Sequence, residues 1–243
     1  VLINNVNNAL RGYMALDEIP RFLVALLVYL EACKRSANGK SAIQIAPSDR
    51  WESIAAIQPS ERLEAIIRAA KNIEMNNADL QDTMSIGIRL GMRIPSNILD
   101  SLFHVVNASW DVEMNYVVVL KRVHEWHDSL AGRVSHEQST PSDLATLMAF
   151  IANTRGKKVF DPAVGAGNIF LRMIELGGEN SSQVFTGFEN NLSTLAECKG
   201  LFFLLGSPVE LAHRNSLVDK KATEMGADVV VLDPPFGVPL QSI

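Results

Sequence analysis

Two short segments near the C-terminal end carry residues that could do chemistry. Each is an apolar run that stops at an acid. Residues 159–167 read VFDPAVGAG and contain Asp161, and residues 229–236 read VVVLDPPF and contain Asp233. The carboxyl ends of the strands in a parallel α/β sheet form the crevice where ligands bind. We therefore expect both acids at one sheet edge, the first in a cofactor site and the second beside a planar amino group.

The glycines of the first segment favour a cofactor loop. Gly165 and Gly167 follow the apolar run directly, and glycine allows a sharp turn and a close backbone approach to a ligand. The dinucleotide pattern G-x-G-x-x-G/A is broken by Phe170, and the loop lacks the Lys-Ser/Thr pair of a phosphate loop. The loop is therefore better suited to a ligand without phosphates.

Glu189 is the predicted partner of this loop. It ends the next apolar run, 22 residues after Gly167, near the offset of roughly 20 at which an acid binds ribose hydroxyls in such folds. A carboxylate that accepts two hydroxyl hydrogens would hold an adenosine ribose. The alternative is that the glycines serve only a tight turn and that Glu189 caps the helix after Asn190.

The second segment has the residue types of an amino-group clamp. The Asp233 carboxylate and the Pro234 carbonyl could accept both hydrogens of an aromatic amine and make its nitrogen nucleophilic. Pro234 and Pro235 stiffen the turn and remove competing N–H donors. Phe236 offers a ring for base stacking, which is worth about 1–3 kcal/mol. The alternative is a strand that ends in a proline turn with a buried Phe.

The elements that position these segments form an alternating pattern after Gly132. Asp143 lies at the start of a helix with the apolar stripe Leu144, Leu147, Met148 and Ile151. The strands that follow are predicted at 158–161, 184–189, 209–213 and 228–232, with helices at 168–176 and 192–205 between them. Strands separated by helices indicate a right-handed, mostly parallel sheet.

The first half of the chain has helical periodicity. Helices are predicted at residues 10–35, with Pro20 as a break or second start, and at 59–76, 95–106 and 114–130. We therefore divide the chain into a helical N-terminal domain, 1–132, and an α/β domain, 133–243.

Three segments resemble motifs of the amino-group DNA methyltransferases. Residues 161–167 are similar to the cofactor motif D-P-A-C-G-S-G, with Val164 and Ala166 as departures. Residues 233–236 are similar to the catalytic motif [N/D/S]-P-P-[F/Y/W]. Thr140-Pro141 resembles the Y-T-P segment that precedes the cofactor loop, with Ser139 in place of the aromatic residue.

The resemblance implies S-adenosylmethionine as the cofactor. It also implies a partial Rossmann-like methyltransferase sheet, which stops after the catalytic motif and is preceded by the all-α domain. Asn215 stands where the family often has an acid near the adenine of the cofactor. The implied catalytic residues are Asp233, Pro234, Pro235 and Phe236. The implied cofactor-binding residues are Thr140, Pro141, Asp161, Ala163, Gly165, Gly167, Glu189 and Asn215.

The motif order, with a helical region in front, is most similar to the modification subunit of type I restriction–modification systems. This implies methyl transfer to the N6 amino group of adenine in DNA. It also implies a DNA-specificity subunit as a partner, and a restriction subunit as a further one. Those relatives usually have Asn where this chain has Asp233, which is a chemically competent departure.

Composition supports the same class of protein. The net charge is −5, whereas proteins that bind DNA alone usually have a basic surface. If the chain acts on DNA, the positive charge must be local, or must come from another subunit or from residues beyond position 243; the family resemblance favours a separate DNA-reading subunit. Cys33 and Cys198 lie far apart and the chain has no apolar run long enough to span a membrane, which fits a cytoplasmic protein. His124 and His127 lack a third ligand, so we expect no metal and interpret the pair as incidental histidines on a surface helix.

Other functions remain open at this point. The clamp chemistry serves cytosine N4 as well as adenine N6, and only the family resemblance favours adenine. A similar clamp occurs in methyltransferases that act on glutamine amides of proteins. A methyltransferase-like module that binds cofactor or partners without catalysis is the third possibility, favoured by Ser139 and Asn215.

Overall fold

The computed structural model describes residues 6, 8–37, 42–110, 115–130, 140–177 and 183–234. The chain forms two units. The first is Val1–Arg122 with Phe203–Leu205, and the second is Val123–Phe202 with Gly206–Ile243. The domain boundary predicted at residue 132 lies outside the described residues and stays a prediction.

The first unit is built around one helix that is buried on nearly all sides. This helix, α1, spans Glu18–Ala37, and its apolar residues from Phe22 to Leu30 are all buried, as expected for a helix without a polar face. Gly87 lets a short helix approach α1 closely, because a Cβ there would lie 2.7 Å from the Arg21 carbonyl oxygen. This unit also contains α2 (Trp51–Ala55), α3 (Pro59–Asn76), α4 (Ser85–Ile88) and α5 (Ser96–Trp110), while α6 (Tyr116–Leu130) begins in it and ends in the second unit.

The predicted helix at residues 10–35 was wrong at its start. The structure begins α1 at Glu18, after a turn in which Gly12 adopts a φ of +94°. The Glu18 carboxylate accepts the Ala15 N–H at 3.2 Å and so closes the helix start. Pro20 lies in the first turn, where its missing N–H costs nothing, so it is not a break.

The second unit is an α/β sheet, as predicted. Its elements are α7 (Ser142–Ala152), β1 (Lys158–Asp161), α8 (Asn168–Gly177), β2 (Val184–Glu189), α9 (Leu192–Leu205), β3 (Glu210–His213) and β4 (Val229–Val230), with a 3₁₀ turn at Lys220–Thr223. The strands formed by the described residues are parallel in the order β3-β2-β1-β4. Phe160 of β1 lies opposite Thr186 of β2 and Val230 of β4.

Aromatic side chains fill the core of this sheet. The rings of Phe160 and Phe188 meet edge to face at 5.0 Å, and those of Phe170 and Phe185 lie 4.9 Å apart. Helix α7 packs against α8. Its buried residues are Ala145 and Ala149, whereas most of the predicted apolar stripe is exposed, up to 72% at Ile151. Small residues thus form the packing face.

His124 of α6 is buried, so the expectation that this histidine pair lies on a surface helix was wrong at that position. Among the described residues, no three His, Cys, Asp or Glu side chains are grouped as metal ligands would be. Within the same residues, no helix is both long enough and apolar enough to cross a membrane.

Candidate active site

Three acids lie at the carboxyl ends of neighbouring parallel strands. Asp161 is the last residue of β1, Glu189 is the last residue of β2, and Asp233 follows β4. Parallel strands bring these ends to one edge of the sheet. The structure therefore places the two segments predicted from the sequence, one with Asp161 and one with Asp233, at the same edge of the sheet, which we call the rim.

Asp161 lies at the centre of this acidic group. Its side chain is 1% exposed, and the carboxylate accepts the Ala163 N–H at 2.9 Å. Burial, together with the negative charges of Glu189 and Asp233, raises the pKa of Asp161 to about 7, although the bond from the Ala163 N–H lowers it. The Glu189 and Asp233 carboxylates are thus close enough to Asp161 for their charges to change its pKa.

Glu189 ties the cofactor loop to the following helix. Its Oε2 accepts the Gly165 N–H at 3.1 Å, and its Oε1 accepts the Asn191 N–H at 2.6 Å. Helix α9 is capped by Asn191, whose Oδ1 accepts the N–H groups of Ser193 and Thr194. The alternative role of Glu189 as the helix cap is therefore taken by Asn191.

The two loop glycines serve different purposes. Gly165 has a φ of +56°, and a Cβ placed on it would meet nothing within 4 Å, so this backbone faces open space. Gly167 has a φ of +87°, and its Cβ would lie 2.6 Å from the Phe202 ring and 2.9 Å from the Cys198 sulfur. Gly167 therefore permits close packing of α9, and Gly165 leaves room for a ligand.

Thr140 and Pro141 lie beside the loop, as the motif predicts. The Thr140 carbonyl accepts a hydrogen bond of 2.6 Å from Nδ2 of Asn168, the first residue of α8. Pro141 is exposed and directly precedes α7, and its carbonyl accepts the Ala145 N–H. Sequence reasoning missed Asn168, because its partner is 28 residues away.

Asn215 follows β3 and folds back on itself. Its Oδ1 accepts the Leu217 N–H at 3.0 Å, which forms an Asx turn. The next residue, Ser216, donates its hydroxyl to the carbonyl of Pro162 in the cofactor loop. The Arg214 N–H donates to the Glu189 carbonyl at 3.0 Å. These bonds hold Asn215 beside both the loop and Glu189.

The clamp segment is described only in part. The Val231 N–H donates to the Phe160 carbonyl at 2.9 Å, which continues the pairing with β1 beyond β4. Asp233 is half-buried and Pro234 is exposed. Pro235 and Phe236 lie outside the described residues.

The composition of this rim suits a cationic ligand. The charges that perturb Asp161 are both negative, so a positive group bound among the three acids would be stabilised. A phosphate would be repelled by the same charges. The rim can therefore bind a positively charged molecule through its acids and expose the Asp233 carboxylate as a hydrogen-bond acceptor.

Known proteins share the sequence pattern of this unit. A family model described as N-6 DNA Methylase matches residues 120–241. The methylase subunit of the type I restriction enzyme MjaIX of Methanocaldococcus jannaschii is 25% identical over 126 residues. That alignment covers 49% of this chain and 23% of the relative.

Solved structures share its fold. A type I restriction-modification system methyltransferase subunit from Streptococcus thermophilus aligns with a TM-score of 0.74 and 14% identity, covering 98% of this chain and 63% of that one. A second structure, from Vibrio vulnificus YJ016, aligns with a TM-score of 0.56 and 16% identity, covering 98% of this chain and 60% of the other. This chain thus spans less than two thirds of their length.

The resemblance inferred from the motifs is confirmed by these matches. The family model spans both the loop at Gly165 and the clamp at Asp233, and it covers just over half of the chain. The chain belongs to the N-6 DNA methylase family.

Proposed function

We propose that this chain provides the cofactor site and the amino-group clamp of a DNA methyltransferase that uses S-adenosylmethionine and modifies adenine at N6. The observation that carries the proposal is the meeting of Asp161, Glu189 and Asp233 at one sheet edge, beside a glycine loop that faces open space. A cofactor site and a clamp on opposite rims could not act together. On one rim they can hold two reactants at bonding distance.

The residues of the rim fit S-adenosylmethionine. Its sulfonium and ammonium groups are positive, and it supplies an electrophilic methyl group when bound. Glu189 is half-buried, so its carboxylate can still accept from ribose hydroxyls beside the bonds it makes to the backbone. Asn215 would accept from the adenine amine. Thr140, Pro141 and the loop from Asp161 through Ala163 to Gly167 would enclose the methionine end.

The clamp acts on the target amine. The Asp233 carboxylate and the Pro234 carbonyl would each accept one amine hydrogen, which concentrates the lone pair on nitrogen. Pro235 keeps the turn stiff, and Phe236 would stack on the base. A target base in a duplex must first leave the stack, at a cost of a few kcal/mol. Positioning is therefore the main contribution of these residues.

The partners are inferred from charge and from the relatives. The chain carries a net charge of −5, and the relatives named above are subunits of type I systems. We infer that DNA is the substrate and that a DNA-specificity subunit supplies the positive surface. A restriction subunit would be a further partner.

Transfer of labelled methyl groups tests the proposal. The full polypeptide, with its partner subunits, is incubated with tritiated S-adenosylmethionine and with unmethylated DNA, followed by nucleoside analysis. We expect label in N6-methyl-2′-deoxyadenosine. Label in N4-methyl-2′-deoxycytidine would correct the base, and label in protein glutamine would replace the DNA substrate by a protein. Cofactor binding without any transfer would establish the non-catalytic alternative.

A further inference from the structure

Asn168 joins two segments of the proposed cofactor site. It is the first residue of α8, directly after Gly167 of the loop. Its Nδ2 donates to the backbone carbonyl of Thr140 at 2.6 Å. A single side chain thus connects the loop after β1 with the Thr-Pro segment before α7.

The side chain of Asn168 is not arranged for stability alone. It is 4% exposed, and its Oδ1 is buried without a hydrogen-bond partner within the described part of the chain. A buried acceptor without a hydrogen-bond partner destabilises a fold. An apolar side chain of similar shape, such as Leu, would avoid that cost. In natural proteins, buried polar atoms left without a partner occur mainly at functional sites.

We propose that Asn168 is a positioning residue for the methionine end of the cofactor. This inference rests on the proposed function and assigns a residue that no motif identified. Asn168 acts through Thr140. By holding the Thr140 carbonyl, it fixes the distance between the Thr-Pro segment and the cofactor loop before the ligand arrives. Such preorganisation raises affinity because less ordering remains to be done on binding.

The bond from Asn168 to the Thr140 carbonyl can be removed by two substitutions. Asn168→Asp keeps the size of the side chain but replaces the donor by a carboxylate oxygen, which repels the Thr140 carbonyl. An acid in the first turn of a helix is itself tolerated. Asn168→Leu removes the donor together with the unpaired acceptor. The half-buried Thr140 carbonyl can then bond to water, so we expect the melting temperature to stay close to that of the parent chain.

A matched control adds the same charge elsewhere. Asn97 lies in the first turn of α5 and is exposed. Asn97→Asp therefore changes the net charge as Asn168→Asp does, in a comparable helical position, without touching the proposed site. Its ligand affinities should equal those of the parent chain.

The affinities of two ligands distinguish a loss of cofactor positioning from a general loss of structure at the site. S-adenosylhomocysteine carries the amino acid end, and 5′-methylthioadenosine lacks it. By titration calorimetry at pH 8, we expect both Asn168 variants to bind S-adenosylhomocysteine about tenfold more weakly. Their affinity for 5′-methylthioadenosine should stay within about twofold of the parent value, since that ligand does not reach Thr140.

The outcomes are distinguishable. Equal losses for both ligands, or no loss for either, would overturn the positioning role while leaving the proposed function intact. A loss of S-adenosylhomocysteine affinity that follows a fall in melting temperature across the two variants would also overturn it. A parent chain that binds neither ligand would refute the proposed function itself.

Discussion

Two acids that accept backbone hydrogens show how the two units differ. In the helical unit, Glu74 is buried and receives the N–H groups of Met84 and Ser85 on a single oxygen, Oε1, at 2.7 and 2.8 Å. In the α/β unit, Glu189 is half-buried and receives one N–H on each oxygen, from Gly165 and Asn191. Glu74 secures the start of one short helix. Glu189 holds two separate segments together.

Their charged surroundings differ as well. Glu189 lies near Asp161, whose pKa is raised by burial and then by the charges of Glu189 and Asp233. Like charges gathered in a partly buried place lower stability, and such clusters occur mostly where a ligand or reaction requires them. Both glutamates accept backbone N–H groups, but only Glu189 does so within a group of like charges, which is why we assign a functional role to Glu189 and a structural one to Glu74.

The largest expected effect tests the function of the acidic rim. Asp233→Ala removes the carboxylate that accepts the amine hydrogen, so methyl transfer should fall by about 10³-fold or more. Cofactor affinity should fall far less, because Asp233 belongs to the clamp and would act on the cofactor only through its charge. Single-turnover transfer and calorimetry measure the two quantities separately. Glu224→Ala, an exposed acid of the same unit, serves as the control, and an equal loss of transfer and affinity in Asp233→Ala would contradict the assigned role.

The next effect belongs to the helical unit and concerns stability alone. Glu74→Ala leaves two buried N–H groups without an acceptor and should lower the free energy of unfolding by about 3 kcal/mol. Glu74→Gln keeps an amide oxygen that can accept both N–H groups, so its loss should be only about 1 kcal/mol. Urea denaturation measures both. A Gln variant as damaged as the Ala variant would show that the charge, and not the shared oxygen, is what α4 requires.

The same pair of substitutions should behave differently at Glu189. Glu189→Ala should weaken S-adenosylmethionine binding about thirtyfold, because it removes a ribose acceptor and releases the loop from α9. Glu189→Gln should do nearly as much harm, since its NH₂ group would face the N–H of either Gly165 or Asn191. Calorimetry checks this. A Gln variant with parental affinity would mean that the two-oxygen bridge does not matter for the site.

Local patterns in the sequence predicted the α/β unit well. The predicted strands that end at Asp161 and Glu189 match the observed ends of β1 and β2. A short apolar run that stops at an acid is typical of a buried strand that leads into a loop. The last strand was predicted at 228–232 but spans Val229–Val230. Its backbone bonds to β1 nevertheless extend from the Asp228 N–H to the Val231 N–H.

Features that depend on distant partners could not be predicted. Asn168 and Ser216 look like ordinary helix-start and loop residues, yet their hydrogen bonds reach across 28 and 54 positions. The apolar stripe of α7 was misleading for a related reason. Hydrophobic periodicity identifies a helix but does not show which face packs, and here the small residues Ala145 and Ala149 face the neighbouring helix.

The last expected effect concerns the titration of Asp161, and its smallest part is the contribution of each neighbouring charge. Its pKa of about 7 in the folded chain lies above the ordinary value of about 4 expected in the unfolded chain. Between these values the folded state binds more protons, so the free energy of unfolding falls as the pH rises from about 4 to about 7. Asp161→Asn should abolish this decline.

Removing either neighbouring charge should lower the pKa of Asp161, and the change should be larger for Glu189→Gln than for Asp233→Asn, because the Glu189 charge contributes more. The decline in stability would then end at a lower pH. Carbon NMR of the Asp161 carboxyl group gives the midpoint directly, and urea denaturation from pH 4 to pH 8 gives the stability. If Asp233→Asn leaves the midpoint unchanged, the clamp lies too far from the cofactor loop for the two to act on one pair of reactants. That result would contradict the proposed methyl transfer, even if the cofactor loop and the clamp each bound its own ligand.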